Sequence, residues 1–232
     1  MEIIDEIETL KKIIKDKCSI SRFGDGEFYH LFNSKTSLSA GKQDCSKKIS
    51  DKLKKILMSD NPKILIGISG FLANNDNIDD RYIEYTSYMK KFIRNIRLKL
   101  KKHYSDLVNK TFYSAEITRI HNLKYKYIIV HLFDQLFINN KFIFVGNKVV
   151  INLIKRKYLQ KFKDIKFILV EKFNAYQDYD KILKKCLENN TSKEYVYLLS
   201  IGITATILSY DLGQKGYWAI DIGHYFELLK KI

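Results

Sequence analysis

The sequence contains few of the residues that build disulfide-stapled or loosely linked proteins. Among its 232 residues are three cysteines, one proline and 10 glycines. The cysteines form no CxxC pair, and their odd number argues against a disulfide framework. Because Ser/Gly-rich linkers and repeats are also missing, nothing signals a domain boundary. We therefore predict that residues 1–232 form one domain.

Long apolar runs are absent as well. The longest stretches, such as residues 127–130, are far too short to cross a bilayer. The first ten residues are acidic and do not have the basic-then-apolar order of a signal peptide. These features lead us to expect a soluble, cytoplasmic protein.

Two common nucleotide-binding motifs are missing. Neither GxGxxG nor GxxxxGK[ST] occurs, so a classical dinucleotide site and a P-loop have no motif to support them. Residues 40–43 (AGKQ) contain a glycine and a lysine but not the rest of the P-loop pattern.

The charge is strongly positive, at +15. Such a charge attracts nucleic acid, an anionic membrane surface or a phosphorylated substrate. The lysines, however, are spread along helical faces, as in residues 47–55, which is typical of a solvated surface. With 16 tyrosines, a basic nucleic-acid-binding protein without catalysis is our alternative hypothesis. The aromatic residues fall at core spacings and no recognition motif is present, which makes nucleic acid the less favoured partner.

Apolar segments of two kinds alternate along the chain, which predicts an α/β fold. Helical spacing predicts helices over residues 2–16, around 49–57, along 82–96, and over 149–158, 179–187 and 204–212. Short apolar runs predict strands over residues 18–23, 63–68, 142–145, 167–170, 195–201 and 217–222. This alternation indicates a Rossmann-like, doubly wound and mostly parallel sheet with helices on both faces. Ligands of such sheets bind beyond the carboxyl ends of the strands.

The stretch SRFGDGEF places two carboxylates, Asp25 and Glu27, after the first predicted strand. If the segment is extended, the two side chains point the same way. Paired oxygen donors suit Mg²⁺ or Mn²⁺, which bridges to a diphosphate. Alternatively, Asp25 caps a helix that starts near Glu27, and Glu27 complements the helix dipole. The local pattern leaves both interpretations open.

Other candidate residues follow later strands. A helix beginning after Gly202 would offer free N–H groups to a phosphate, although Thr204 could instead cap that helix. Gly146 and Asn147 follow the predicted strand over residues 142–145. Near the C-terminus, ionisable residues follow the last predicted strand, where ligands bind. These residues are Asp221, His224 and Glu227.

Two motifs carry a resemblance to a known family. RFGDGEF near the N-terminus and SIGITATILSYDLGQKGYWAIDIGH near the C-terminus resemble the bacterial GT-D-fold glycosyltransferases. Weaker similarities lie at residues 117–119 and 173–176, so the resemblance spans most of the chain.

The resemblance implies a metal-dependent transfer of a hexose from a nucleotide-diphosphate sugar. The donor would be UDP-linked, and the acceptor a glycan in surface glycoprotein or capsular polysaccharide assembly, with peripheral contact to an anionic membrane as a further expectation. Asp25 and Glu27 would handle Mn²⁺ or Mg²⁺. By this resemblance the nucleotide sugar would lie near Arg22, Arg119, Gly202 and Thr204. Their positions at strand ends make Gly24, Gly146 and Asn147 further candidates for nucleotide-sugar binding. The catalytic base would come from Asp221, His224 and Glu227.

The sequence also departs from the family pattern. Ile203 replaces the usual proline of G-P-T-A, and Ile120–His121 replace a proline–tyrosine pair. The sequence given ends at Ile232, where the family often continues through an acidic and aromatic segment, so Glu227 would stand in for a carboxylate of that segment. A catalytically inactive homologue used in assembly is therefore a third hypothesis.

Overall fold

Eight parallel strands form one sheet at the centre of the computed structural model, which describes residues 1–33, 46–72, 87–120, 123–171 and 173–232. The spatial order of the strands is β1-β4-β3-β2-β8-β7-β5-β6. The strands are β1 (Glu2–Ile4), β2 (Ser19–Phe23), β3 (Ile64–Ile68), β4 (Thr111–Ser114), β5 (Lys141–Gly146), β6 (Asp164–Leu169), β7 (Tyr195–Ser200) and β8 (Ala219–Asp221).

Helices cover both faces of this sheet, as predicted. Alternate residues of a strand pack into the hydrophobic cores on opposite faces of the sheet. Phe142 and Phe144 of β5 face one core, whereas Ile143 and Val145 face the other. Within the described residues the α-helices are α1 (Glu6–Asp16), α2 (Asp25–Phe32), α3 (Lys47–Leu57), α4 (Ser87–His103), α5 (Lys126–Asn139), α6 (Lys148–Lys157), α7 (Tyr179–Asn189), α8 (Ile203–Gln214) and α9 (Tyr225–Leu228).

The two faces are built by different helices. Residues of α1, α5, α6 and α9 pack in the core that contains Phe142. Residues of α2, α3, α4, α7 and α8 pack in the core that contains Ile143. Both faces of the central strands are therefore buried, which explains why those strands read as nearly continuous apolar runs.

The centre of the sheet joins the start and the end of the chain. Strand β2 pairs with β3 on one side and with β8 on the other, and Ile20 lies opposite Ile220. Strands β2, β3 and β4 proceed towards one edge, and β5 and β6 lie towards the other. The direction of winding therefore changes beside β2 and β8, where α/β sheets form their ligand crevices.

Most predicted elements are confirmed within one to three residues, but the first is wrong at its start. Residues Glu2–Ile4 form an edge strand paired with β4 instead of the first turn of a helix. The helix begins after Asp5, whose side chain accepts a hydrogen bond of 2.9 Å from the amide of Glu8. The sequence analysis did not predict strand β4 or helix α5.

Several parts of the sequence analysis lie outside the described ranges: residues 40–43, one of the three cysteines (Cys45), the start of the helix predicted along 82–96, and His121. None of the helices in the described part of the chain combines the length and the apolar character that crossing a bilayer requires.

Candidate active site at the carboxyl ends of β2 and β8

An ion pair between Arg22 and Asp221 joins the ends of β2 and β8. Arg22 Nη2 lies 3.1 Å from Asp221 Oδ1, and the side chains are only 12% and 6% exposed. Arg22 Nε also donates to the main-chain oxygen of Asp221 at 2.6 Å. Its Nη1 donates to the Ala115 carbonyl at 2.7 Å and to Thr118 Oγ1 at 2.6 Å. Arg22, predicted to lie near the nucleotide, therefore ties three segments together beneath the crevice.

Gly223 allows this arrangement because it has no side chain. Its φ is +49°, and a Cβ built on it would lie 2.2 Å from Arg22 Nη2. The loop is held from two sides: Gly223 N donates to Asp221 Oδ1 at 3.2 Å, and Ser200 Oγ donates to the Gly223 carbonyl at 2.7 Å. A side chain at this position would displace the arginine.

The acidic pair lies in the first turn of α2, so the prediction of an extended segment is wrong. Gly24 is the N-cap and Asp25 the first helical residue. The amide of Gly24 donates to Glu27 Oε2 at 2.8 Å, which is the carboxylate half of a capping box. The proposed cap by Asp25 is wrong too, because the helix starts one residue earlier than that interpretation required.

Thr206 connects Glu27 to the ion pair. This residue of α8 has its Oγ1 at 3.0 Å from the Arg22 carbonyl oxygen, 3.2 Å from Asp221 Oδ2 and 3.3 Å from Glu27 Oε1. Sequence reasoning missed it, because a threonine inside an apolar helical segment carries no signal of its own.

The environment of Glu27 favours its protonated form. Burial, and then the negative charge of Asp221, raise the pKa of Glu27 to about 7, against the opposing effects of the Gly24 amide and Arg22. A carboxyl group that holds a proton near neutral pH therefore lies next to the ion pair.

Asp25 and Arg119 form the exposed rim above this buried cluster. Arg119 Nη2 lies 3.8 Å from Asp25 Oδ1, and Arg119 Nε lies 3.6 Å from Glu116 Oε2. The side chains of Arg119 and Asp25 are 48% and 51% exposed. Arg119 Nη2 would also lie 3.8 Å from a Cβ on Gly24. The structure thus brings together three of the predicted ligand-binding residues, and the two charged groups face solvent.

The amino end of α8 lies after β7, at the same carboxyl edge of the parallel sheet. Gly202 is its N-cap, with φ at +58° and no side-chain cap, and a Cβ built there would meet nothing within 4 Å. Thr204 is fully buried, and its Oγ1 has no hydrogen-bond partner within the part of the chain that the structure describes. The alternative role of Thr204 as a cap is therefore wrong. The amide of Ala205 donates to the Gly202 carbonyl at 2.8 Å, so the amides of Ile203 and Thr204 are the ones that this helix end offers to an anion.

His224 and Glu227 form a pair on the solvent side of β8. His224 Nδ1 and Glu227 Oε2 are in hydrogen-bond contact, and the His224 side chain is 75% exposed. That hydrogen bond raises the pKa of His224 above its ordinary value. His224 and Glu227 therefore reach solvent, whereas Asp221 is buried and already paired with Arg22.

Gly146 and Asn147 lie apart from this cluster. They end β5 and begin α6, and β7 separates β5 from β8. Asn147 Oδ1 caps α6 by accepting from the amides of Val149 at 2.9 Å and Val150 at 3.2 Å. A role of Gly146 and Asn147 in nucleotide binding stays a prediction.

A divalent cation fits these residues only in part. Asp25 presents a half-exposed carboxylate, the donor type that Mg²⁺ and Mn²⁺ prefer. Glu27 instead directs one oxygen to the Gly24 amide and the other to Thr206. Nowhere in the described ranges do three or more His, Cys, Asp or Glu side chains form a group that could hold a metal. Asp25 is thus the carboxylate available to a metal in this arrangement.

Comparison with known proteins identifies the family. The family model described as "Glycosyltransferase GT-D fold" matches residues 20–227, a range that includes both motifs of the site. A comparison with curated proteins found no match.

Solved structures give the same result for the fold. One is described as showing that the highly conserved domain of unknown function 1792 has a distinct glycosyltransferase fold; it is 26% identical, with a TM-score of 0.83, over 99% of this chain and 80% of that one. A selenomethionine structure of the same domain is 27% identical, with a TM-score of 0.80, over 99% and 80% of the two chains. A third, described as a new glycosyltransferase from Streptococcus sanguinis, is 21% identical with a TM-score of 0.79, over 99% and 84%.

Proposed function

Because the chain belongs to the family of GT-D-fold glycosyltransferases, we propose that it transfers a hexose from a UDP-linked sugar to a glycan acceptor. The acceptor would belong to surface glycoprotein or capsular polysaccharide assembly. The observation that carries the proposal is the open amino end of α8, whose Thr206 contacts Glu27 in the same first turn of α2 that carries Asp25, the exposed partner of Arg119.

The diphosphate of the donor would lie at the amino end of α8. Free amides and the positive end of the helix dipole favour a phosphate there. Gly202 leaves the approach open, and the Thr204 hydroxyl lacks a partner among the described residues. Arg119, on the rim, would share the charge that develops on the leaving diphosphate.

Asp25 would hold Mn²⁺ or Mg²⁺, with donor oxygens and water as the remaining ligands. Such a cation supplies charge neutralisation of the leaving group. Glu27 and Asp221 would lie beneath the metal and hold Asp25 in place, because their contacts fix the first turn of α2 against β8.

The acceptor hydroxyl must lose a proton if the transfer inverts the sugar. Of the three predicted catalytic residues, His224 and Glu227 reach solvent, whereas Asp221 is buried and bonded to Arg22. The accessible pair supports a proton-accepting role for Glu227 or His224.

A screen of nucleotide sugars tests the proposal. The protein is incubated with UDP-, GDP- and dTDP-hexoses plus Mn²⁺, Mg²⁺ or a chelator, and released nucleotide is measured. We expect turnover with a UDP-hexose, its loss on chelation, and a higher melting temperature with UDP and metal. Turnover of no nucleotide sugar, together with salt-dependent retention of DNA or RNA, would instead support the nucleic-acid alternative.

A further inference from the structure

Thr206 is fully buried on the side of α8 that faces β2 and β8. Its hydroxyl lies within 3.0 to 3.3 Å of three oxygens that belong to three different elements. These are the Arg22 carbonyl of β2, Glu27 of α2 and Asp221 of β8. No other side chain among the described residues joins these three elements at one atom.

We propose that Thr206 is a positioning residue for glycosyl transfer, and that its hydroxyl fixes the carboxyl groups of Glu27 and Asp221 against each other beneath the donor site. The inference rests on the proposed function. Thr206 itself contacts neither substrate nor metal in this role; it acts through the two carboxyl groups.

The contacts of Asp221 show why the hydroxyl matters. Its Oδ1 receives Arg22 Nη2 and the amide of Gly223. Its Oδ2 has Thr206 as its one hydrogen-bond partner in the described ranges. Without that hydroxyl a buried carboxylate oxygen is left unpaired, so the side chain is expected to turn away and take Arg22 with it.

Glu27 is linked in the same way. Its Oε2 accepts the Gly24 amide and its Oε1 faces Thr206. Loss of the hydroxyl would free one end of this carboxyl group, and the first turn of α2, which carries Asp25, would lose its tie to β8. Small displacements of this kind are costly for a reaction that depends on alignment.

Ser209 provides a matched control on the same helix. It is buried like Thr206, and its hydroxyl contacts Ser21 Oγ at 2.9 Å and the Thr206 carbonyl at 3.0 Å. It contacts none of the charged groups of the site. Ser209→Ala therefore removes a buried hydroxyl from α8 without removing the link between the carboxyl groups.

The test compares Thr206→Val, Thr206→Ser and Ser209→Ala in the nucleotide-sugar assay and in thermal unfolding. We expect Thr206→Val, which keeps the shape, to lower kcat roughly tenfold or more with the donor KM changed less than about threefold. Thr206→Ser should recover most of the kcat of the unaltered protein. Ser209→Ala should keep that kcat, while its melting temperature should fall about as much as that of Thr206→Val. Full turnover by Thr206→Val, or an equal loss of kcat in Ser209→Ala, overturns the inference.

A second measurement separates this inference from the proposed function. If the unaltered protein turns over no nucleotide sugar, the proposed function fails, and the positioning role is decided by NMR of the Arg22 Nε–H group, assigned with Arg22→Lys. We expect Thr206→Val to shift this signal and speed its exchange with water, whereas Thr206→Ser and Ser209→Ala leave it in place. An unchanged signal in Thr206→Val overturns the inference.

Discussion

The main chain of Gly223 lies directly against the guanidinium group of Arg22. A Cβ on Gly223 would be 2.2 Å from Nη2, well inside the contact distance of any two non-bonded atoms. The glycine of the I-D-I-G-H stretch is thus required by the arginine of R-F-G-D-G-E. The two sequence motifs are parts of one packing unit.

Gly223→Ala should destabilise the protein and abolish its activity together. The methyl group strains a φ of +49° and displaces Arg22, and we expect a loss of roughly 2 to 4 kcal/mol in the free energy of unfolding. Gly216→Ala is the matched control. Gly216 has a φ of +77°, but its Cβ would meet only the flexible end of Lys193, at 3.3 Å.

The control variant Gly216→Ala should lose about 1 kcal/mol in its free energy of unfolding, measured in urea, and keep its turnover. Equal turnover in Gly223→Ala and the unaltered protein would contradict the role of Gly223.

Asp25→Asn should lower turnover roughly a hundredfold with little change in the melting temperature. Asp25 is half exposed, does not cap α2, and its contact with Arg119 is a long surface pair of 3.8 Å. Asp180→Asn is the control, because Asp180 is likewise an exposed acid in the first turn of a helix, α7. Both variants should lose about 0.5 kcal/mol of helix-dipole energy. An active Asp25→Asn enzyme would exclude a metal role for this carboxylate.

Stability should depend on pH through Glu27. Its pKa is about 7 in the folded protein, against 4.5 for an ordinary Glu. Between these values the folded state keeps a proton that the unfolded chain has lost, so this group favours the folded state less and less as pH rises from 4.5 to 7. The change amounts to about 2 to 3 kcal/mol.

Glu27→Gln removes this effect and keeps an oxygen for the Gly24 amide. Relative to the unaltered protein, the variant should therefore gain stability between pH 4.5 and 8 in urea unfolding. A constant difference between the two proteins over that range would mean that Glu27 titrates normally.

His224→Ala should lower the rate of transfer to acceptor much more than it weakens UDP binding. A group used mainly in the transition state affects turnover without an equal loss of ground-state affinity. His131→Ala is the control, since His131 is also an exposed histidine on a helix, in contact with Gln135. Parallel losses of turnover, UDP affinity and melting temperature in His224→Ala would make His224 a structural residue.

The ion pair between His224 and Glu227 should also make stability depend on pH in a definite direction. Because Glu227 raises the pKa of His224, the stability gained from this pair is present below the ordinary pKa of His and is lost as pH rises through the raised value. Glu227→Gln should shift the His224 titration in NMR to lower pH.

The sequence predicts the sheet well and the site only in part. Apolar runs identify the central strands because both of their faces are buried. Strand β1 was not found because three edge residues carry little pattern. The first turn of α2 was not assigned because only Gly24, its N-cap, separates it from the last residue of β2.

The candidate site residues could be found from the ends of predicted strands and from the family motifs, whereas their contacts could not be predicted. Arg22 and Asp221 are separated by 199 positions, and Thr206 contacts Glu27 across 179. No local pattern specifies such distant pairs.

The order of the strands also has a consequence for how the protein is made. Strand β8, synthesised after every other strand of the described sheet, is the one inserted between β2 and β7. Until it arrives, the nascent protein consists of two half-sheets with bare inner edges, which are prone to pairing with other chains. We therefore expect that a product interrupted before Ala219 is both aggregation-prone and inactive.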